Sequence, residues 1–69
     1  MEATTYKSIE LVGTSAESYA DATRVAIARA RQTMRQLKWF EVTEMRGQIR
    51  EDGDLLFQVR LEVWFALES

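Results

Sequence analysis

The sequence lacks cysteine, histidine and proline, and it has only three glycines in 69 residues. The chain therefore has no disulfide, no thiol nucleophile, none of the usual zinc ligand sets and no imidazole to act as a general base. It also lacks a long apolar run, since the longest extends only from Val63 to Leu67. No membrane-spanning helix is predicted, because a span needs about 20 predominantly apolar residues.

The amino terminus and the charge balance argue against further classes of protein. The first residues show no basic stretch followed by an apolar one, so no signal peptide is expected and a cytoplasmic location is predicted. The formal net charge of -2 argues against a nucleic-acid partner, since such proteins need a basic surface. We predict a single domain, residues 1–69, with neither nucleic acid nor membrane as a partner.

The first half of the chain predicts one strand followed by one long helix. The strand covers residues 6–12 and ends at Gly13. Thr14 and Glu17 have the spacing of a capping box, which predicts a helix from about Ser15 to Leu37, roughly 35 Å long. An apolar, alanine-rich stripe follows at helical spacing: Tyr19, Ala22, Thr23, Ala26, Ile27, Ala30, Met34 and Leu37.

The second half predicts a β-hairpin. One strand runs from about Trp39 to Arg50, and Asp52-Gly53 lies in a turn at residues 51–54. The following strand alternates strictly, with an apolar face formed by Leu55, Phe57, Val59, Leu61, Val63, Phe65 and Leu67. The predicted fold is α+β, a β-α-β-β unit whose antiparallel sheet packs against one helix.

Two tryptophans interrupt the polar character of the other sheet face. Trp64 shares that face with Gln58, Arg60, Glu62 and Glu68, and Trp39 points away from the core if Phe40 points towards it. A large flat ring and an amide on an outer sheet face suit a flat, hydrogen-bonding heterocycle. A subunit interface is an equally good interpretation of the residues alone, because so short a chain with one helix leaves much apolar surface uncovered.

The chain resembles the dodecins, a family of small flavin-binding proteins. The resemblance covers nearly the whole chain and depends on a set of short segments. These are Ile9-Glu10-Leu11-Val12-Gly13-Thr14-Ser15, Ala28-Arg29-Ala30, Leu37-Lys38-Trp39-Phe40-Glu41-Val42, Arg46-Gly47, Phe57-Gln58-Val59, and Leu61-Glu62-Val63 with Phe65.

This resemblance implies a fold, an assembly and a site. Dodecins have a β-α-β-β fold, with a three-stranded antiparallel sheet that partly wraps one long helix, and they form a hollow homododecamer. Flavins bind in pairs near two-fold axes, where the position of Trp39 stacks on the isoalloxazine ring and that of Gln58 hydrogen-bonds its polar edge. An arginine at the position of Arg46 can approach the ligand or a phosphate. The family is regarded as storing or buffering flavins and quenching their photochemistry.

Two residues depart from the family pattern, and Arg46 has a second interpretation. Ala66 stands where many bacterial dodecins have an arginine, which makes riboflavin or lumichrome-like ligands more plausible than FMN. Trp64 replaces a small residue and either tightens a subunit contact or intrudes on the pocket.

Arg46 is also suited to an ion pair with an acid of a neighbouring chain, such as Glu44 or Glu62. Coenzyme A, bound by the late-helix arginines, is a minor alternative ligand.

The sequence therefore predicts a non-catalytic flavin-binding protein. The alternatives are a structural shell without a physiological flavin and a flavin-dependent oxidoreductase. The oxidoreductase is disfavoured because paired flavins between tryptophans leave little room for a substrate, and because no histidine or cysteine is present to transfer protons.

Overall fold

The computed structural model describes residues 3–67 and confirms the β-α-β-β order. The elements are β1 (Tyr6–Ser15), α1 (Tyr19–Arg31), β2 (Leu37–Ile49) and β3 (Leu55–Ala66). Glu68, which the alternating pattern placed on the outer face of the sheet, lies outside the described residues. Within residues 3–67, no helix combines the length and apolar character that crossing a bilayer requires.

The three strands form one antiparallel sheet with β3 in the centre, in the order β1-β3-β2. The alternation in β3 is confirmed, because Val59, Leu61 and Val63 are buried beneath the helix. The helix contributes alanines to this core: Ala22, Ala26 and Ala30. Small side chains on α1 and β-branched or leucine side chains on β3 allow the helix to lie close to the sheet. We call the side of the sheet that faces the helix the core face and the opposite side the outer face.

Gly13 lies within β1, although the sequence pattern predicts that it ends the strand. The strand continues to Ser15, which pairs with Phe57. A Cβ atom at Gly13 would lie 2.3 Å from the carbonyl oxygen of Ala22 and 2.9 Å from the Cβ of Ala26. Glycine is therefore needed here because the helix backbone crosses the strand at close range.

The predicted start of the helix was wrong. Thr14 cannot cap the helix, because it pairs with Gln58 in the sheet. The cap is Ser18, whose hydroxyl accepts a hydrogen bond of 2.9 Å from the backbone N–H of Asp21. The buried Ser15 hydroxyl donates to the Asp21 carboxylate, which ties the end of β1 to the first turn of α1.

The predicted end of the helix, at Leu37, was also wrong. The helix ends at Arg31, and Gln36 adopts a φ of 64° that turns the chain so that Leu37 enters β2 opposite Phe65. A helix of 13 residues is about 20 Å long, whereas a strand of 13 residues spans about 43 Å. The helix packs on β1 and β3, and the core face of β2 is left exposed.

This uncovered strip of apolar side chains has five members: Phe40, Val42, Met45, Ile49 and Leu55. Ile49 is the most open of them, with 79% of its surface exposed. The hairpin turn beside it is confirmed. The backbone N–H of Gly53 donates to the carbonyl of Arg50, and Gly53 has a φ of 92° that suits glycine.

Candidate functional site

Trp39 lies on the outer face of the sheet, directly after a β-bulge. Leu37 lies opposite Phe65 on the core face, whereas Trp39 lies opposite Trp64 on the outer face. Strict alternation would have placed Leu37 and Trp39 on the same face. The extra residue Lys38 breaks the alternation, and bulges commonly re-aim side chains in this way. The bulge therefore lets Leu37 contact the core, while Trp39 alternates regularly with Phe40 and faces outward.

Trp39 belongs to an aromatic cluster that spans all three strands. Its ring stacks on that of Trp64, with centroids 5.5 Å apart and planes inclined by 13°. Tyr6 of β1 meets Trp39 edge-on, with centroids 4.8 Å apart and planes at 64°. Both arrangements are favourable for aromatic pairs. Trp39 nevertheless remains 46% exposed, so a flat ligand has access to it.

A second bulge, at Thr43, brings Arg46 to the outer face. Val42 lies opposite Leu61 and Glu44 opposite Arg60, so Thr43 is the extra residue, and its hydroxyl donates to the Arg60 carbonyl. Arg46 then lies directly opposite Gln58, and its Nε donates a hydrogen bond to Gln58 Oε1.

Arg46 and Gln58 are hydrogen-bonded to each other, but both lie far from Trp39 along the sheet. Trp64 marks the position of Trp39 along β3, and Gln58 precedes Trp64 by six residues. At ~3.3 Å per residue the two positions are separated by about 20 Å. One isoalloxazine ring is too short to touch Trp39 and Gln58 of the same chain. If both residues bind one flavin, they must come from two subunits.

Charged side chains occupy the surface between these two groups. Glu10, Glu62 and Glu41 take matching positions on β1, β3 and β2, and Glu62 accepts a hydrogen bond of 3.0 Å from Ser8. Like charges on directly opposed residues weaken the pairing of strands. Glu44 and Arg60 form an exposed ion pair at 3.8 Å. Such surface pairs contribute little stability, typically below about 1 kcal/mol.

Within its own chain Arg46 is bonded to Gln58. The ion pair of Arg46 with an acid of a neighbouring chain stays a prediction.

A groove of about 520 Å³ lies at the carboxyl end of α1. Arg31, Arg35 and Lys38 line it together with Trp39 and Phe40. Three cationic side chains beside an indole suit an anion that carries a flat ring. Arg31, the last residue of α1, and Arg35, which follows the helix, thus line the same groove as Trp39.

The sequence pattern predicts neither the contact of Tyr6 with Trp39 nor the two bulges. Tyr6 joins the aromatic cluster only because β3 lies between β1 and β2, and nothing in the spacing of Tyr6 and Trp39 indicates that order. Neither bulge contains glycine, so the sequence offered no local signal for them. The assignment of Trp39, Gln58 and Arg46 as binding residues stays a prediction.

Comparison with known proteins identifies a single family. The family model described as Dodecin matches residues 5–68. The dodecin of Thermus thermophilus is 57% identical over 64 residues, which cover 93% of this chain and 93% of that protein. The structure of dodecin from Streptomyces coelicolor matches with a TM-score of 0.91 at 46% sequence identity, and the match covers 100% of this chain and 99% of that one.

A more distant relative is named for a metal. The calcium dodecin of Mycobacterium tuberculosis is 31% identical over 62 residues, which cover 90% of this chain and 87% of that protein. Among residues 3–67 of the present chain, no three acidic, histidine or cysteine side chains are grouped so that they could hold a metal ion. The family model and the relatives agree along nearly the full length of the sequence, and the chain belongs to the dodecin family.

Proposed function

We propose that this protein is a non-catalytic flavin-binding protein that stores or buffers flavins and quenches their photochemistry. The observation that carries the proposal is the position of Trp39 in a dodecin chain. Its indole stands on the outer face, 46% exposed, and is held in place by Trp64 and Tyr6. A flavin stacks on this ring.

Stacking accounts for most of the proposed attachment. The isoalloxazine ring is flat and electron-poor, and tryptophan offers the largest aromatic surface of any side chain. Aromatic stacking contributes roughly 0.5–1.5 kcal/mol beyond the burial of area. An indole against an excited flavin is also an electron donor, which quenches flavin fluorescence and suppresses photochemistry.

Gln58 and Arg46 supply the polar part of the proposed site. The amide offers donors and an acceptor for the carbonyl and N–H groups on the edge of the flavin ring. Because these residues lie about 20 Å from Trp39 along the sheet, each flavin lies between two subunits. A two-fold axis presents the same surface twice, so each such interface holds a pair of flavins.

Self-assembly supports this arrangement. The strip of Phe40, Val42, Met45, Ile49 and Leu55 is exposed in the single chain. Contiguous exposed apolar surface of this kind marks interaction sites in soluble proteins. We propose that further copies of the chain cover the strip and that the complete assembly is the hollow homododecamer of the family, in the cytoplasm.

Riboflavin, FMN and lumichrome-like molecules are the proposed ligands. Ala66 ends the outer face of β3 beside Trp64 and provides no charge for a phosphate. Riboflavin and lumichrome-like rings are therefore proposed to bind about as well as FMN. Coenzyme A is a second candidate, which the groove lined by Arg31, Arg35 and Lys38 favours. Its adenine ring would stack beside Trp39, and its phosphates would meet the three cations.

Titration of riboflavin into the apo-protein, followed by flavin fluorescence, tests the proposal. We expect quenching that saturates near one flavin per chain, and loss of affinity in Trp39→Ala without dissociation of the shell in size exclusion. Trp39→Phe is the matched control, which keeps a smaller stacking surface and should bind with intermediate affinity. Full affinity in Trp39→Ala would contradict the stacking assignment.

Two outcomes separate the alternatives. A large oligomer that neither quenches riboflavin nor becomes yellow would favour a structural shell. Flavin-dependent oxidation of NADH by the loaded protein would favour an oxidoreductase. We expect quenching and no NADH oxidation.

A further inference from the structure

Trp64 is the least expected member of the aromatic cluster. It lies on the central strand β3, directly opposite Trp39 of the edge strand β2. The two rings are 5.5 Å apart and within 13° of parallel. A cross-strand aromatic pair of this kind restricts the rotamers of both side chains. The orientation of Trp39 is therefore set within its own subunit before any ligand arrives.

Ala66 is what permits the third ring to join. It pairs with Tyr6 and is the next outer-face residue of β3 after Trp64. Tyr6 and Trp39 belong to opposite edge strands, yet their centroids are only 4.8 Å apart, so the rings meet above the central strand. A methyl group at residue 66 leaves room for that contact, whereas a long side chain would occupy the space. Trp64 and Ala66 thus act together, since one stacks on Trp39 and the other leaves room for Tyr6 to contact it.

The stacked pair leaves a single face of Trp39 for a ligand. An indole has two faces, and Trp64 covers one of them. The Tyr6 ring is inclined at 64° to the plane of Trp39, so it does not stack on that ring. Nearly half of the Trp39 surface is still exposed. The face directed away from Trp64 is consequently where a planar molecule can stack.

We infer that Trp64 is a positioning residue for the flavin site, an inference that rests on the proposed function. Trp64 packs on one face of Trp39 and fixes the angle of that ring. The opposite face of Trp39 is left open to the flavin. A binding surface that is already ordered loses less side-chain entropy when the ligand binds, so it binds more tightly. Trp64 therefore increases affinity although it does not stack on the flavin itself.

Three forms of the protein test this role: wild type, Trp64→Phe and Trp64→Leu. The phenylalanine variant keeps an aromatic partner for Trp39, and the leucine variant keeps an apolar side chain without a ring. Circular dichroism of the apo-proteins reports the indole pair, because two indoles at this distance give an exciton couplet. We expect the couplet in the wild type and its loss in both variants, with the oligomer intact by size exclusion.

Riboflavin titrations then measure the consequence for binding. Trp64→Leu should weaken binding by roughly three- to tenfold, the contribution of one aromatic pair, and Trp64→Phe should recover most of that loss. Affinity in Trp64→Leu that equals or exceeds the wild-type value would overturn the positioning role. Tighter binding would mean that Trp64 occupies the face on which the flavin stacks.

Different results test the flavin site and the role of Trp64. A wild-type protein that does not quench riboflavin would overturn the proposed function, whatever the variants do. A wild type that binds riboflavin but shows no exciton couplet would overturn the Trp39–Trp64 pair and leave the flavin site standing.

Discussion

Arg46 holds the side-chain amide of Gln58 in one orientation. The two residues face each other across β2 and β3, and Arg46 Nε donates to Gln58 Oε1. Arginine has donors only, so the atom of the amide that faces it must be the oxygen. The NH2 group of Gln58 is then directed away from Arg46 and is available to carbonyl groups of a ligand.

Removing Arg46 should weaken riboflavin binding through Gln58. In Arg46→Met the amide is free to rotate, and we expect affinity to fall about two- to tenfold, the contribution of one hydrogen bond. Arg46→Lys is the matched control, since lysine still donates to the amide oxygen and should retain most of the affinity. Equal affinities in the two variants would show that Arg46 does not act through Gln58.

Gln58 itself should matter less than Trp39. Gln58→Ala removes one polar contact at the edge of the flavin, whereas Trp39→Ala removes the stacking surface. Equilibrium titration of both variants with riboflavin should therefore show the larger loss in Trp39→Ala. The reverse order would mean that recognition of the ring edge outweighs stacking.

Ala66 should leave the protein with little preference for a phosphorylated flavin. We expect the affinities for FMN and riboflavin to differ by less than tenfold, roughly 1.4 kcal/mol, in the wild type. In Ala66→Arg the new cation should shift the ratio of affinities towards FMN, while Ala66→Leu controls for side-chain size. A tenfold or greater preference for FMN in the wild type would contradict this account.

Gly13 should be among the least replaceable residues of the fold. An added Cβ would lie 2.3 Å from the Ala22 carbonyl oxygen, so Gly13→Ala must push the helix away from β1. We expect a loss of about 1–3 kcal/mol per chain and a fall in the unfolding midpoint of roughly 5 °C or more. In Gly47→Ala, the control, the new Cβ meets its nearest atoms at 3.6 Å and should be tolerated.

The sequence predicted the sheet better than the helix. Period-two alternation identified the buried face of β3, because residues such as Val59 and Leu61 are selected by one strong effect, burial. The predicted helix was too long at both ends, since residues 13–15 continue the pairing with β3 and the chain leaves the helix at Arg31 before it turns at Gln36 into β2. Partners across a sheet decide both points, and local spacing does not contain that information.

Some parts of the candidate site were likewise predicted from the sequence, and others were not. Trp39 and Gln58 were placed on the outer face from alternation and from the family resemblance. The bond from Arg46 depends on the bulge at Thr43, and the contact of Tyr6 with Trp39 depends on the strand order. Bulges and strand order arise from long-range pairing, so the sequence pattern did not contain them.

Each flavin is proposed to lie between Trp39 of one subunit and Gln58 of another. Co-expression of Trp39→Ala and Gln58→Ala chains, followed by riboflavin titrations of the mixed shell and of each single-variant shell, tests this arrangement. In a randomly mixed shell with a two-fold interface, roughly one site in four receives Trp39 and Gln58 intact and should bind with wild-type affinity. A mixed shell that binds no better than the average of its two parents would place both residues in one chain's site and contradict the account.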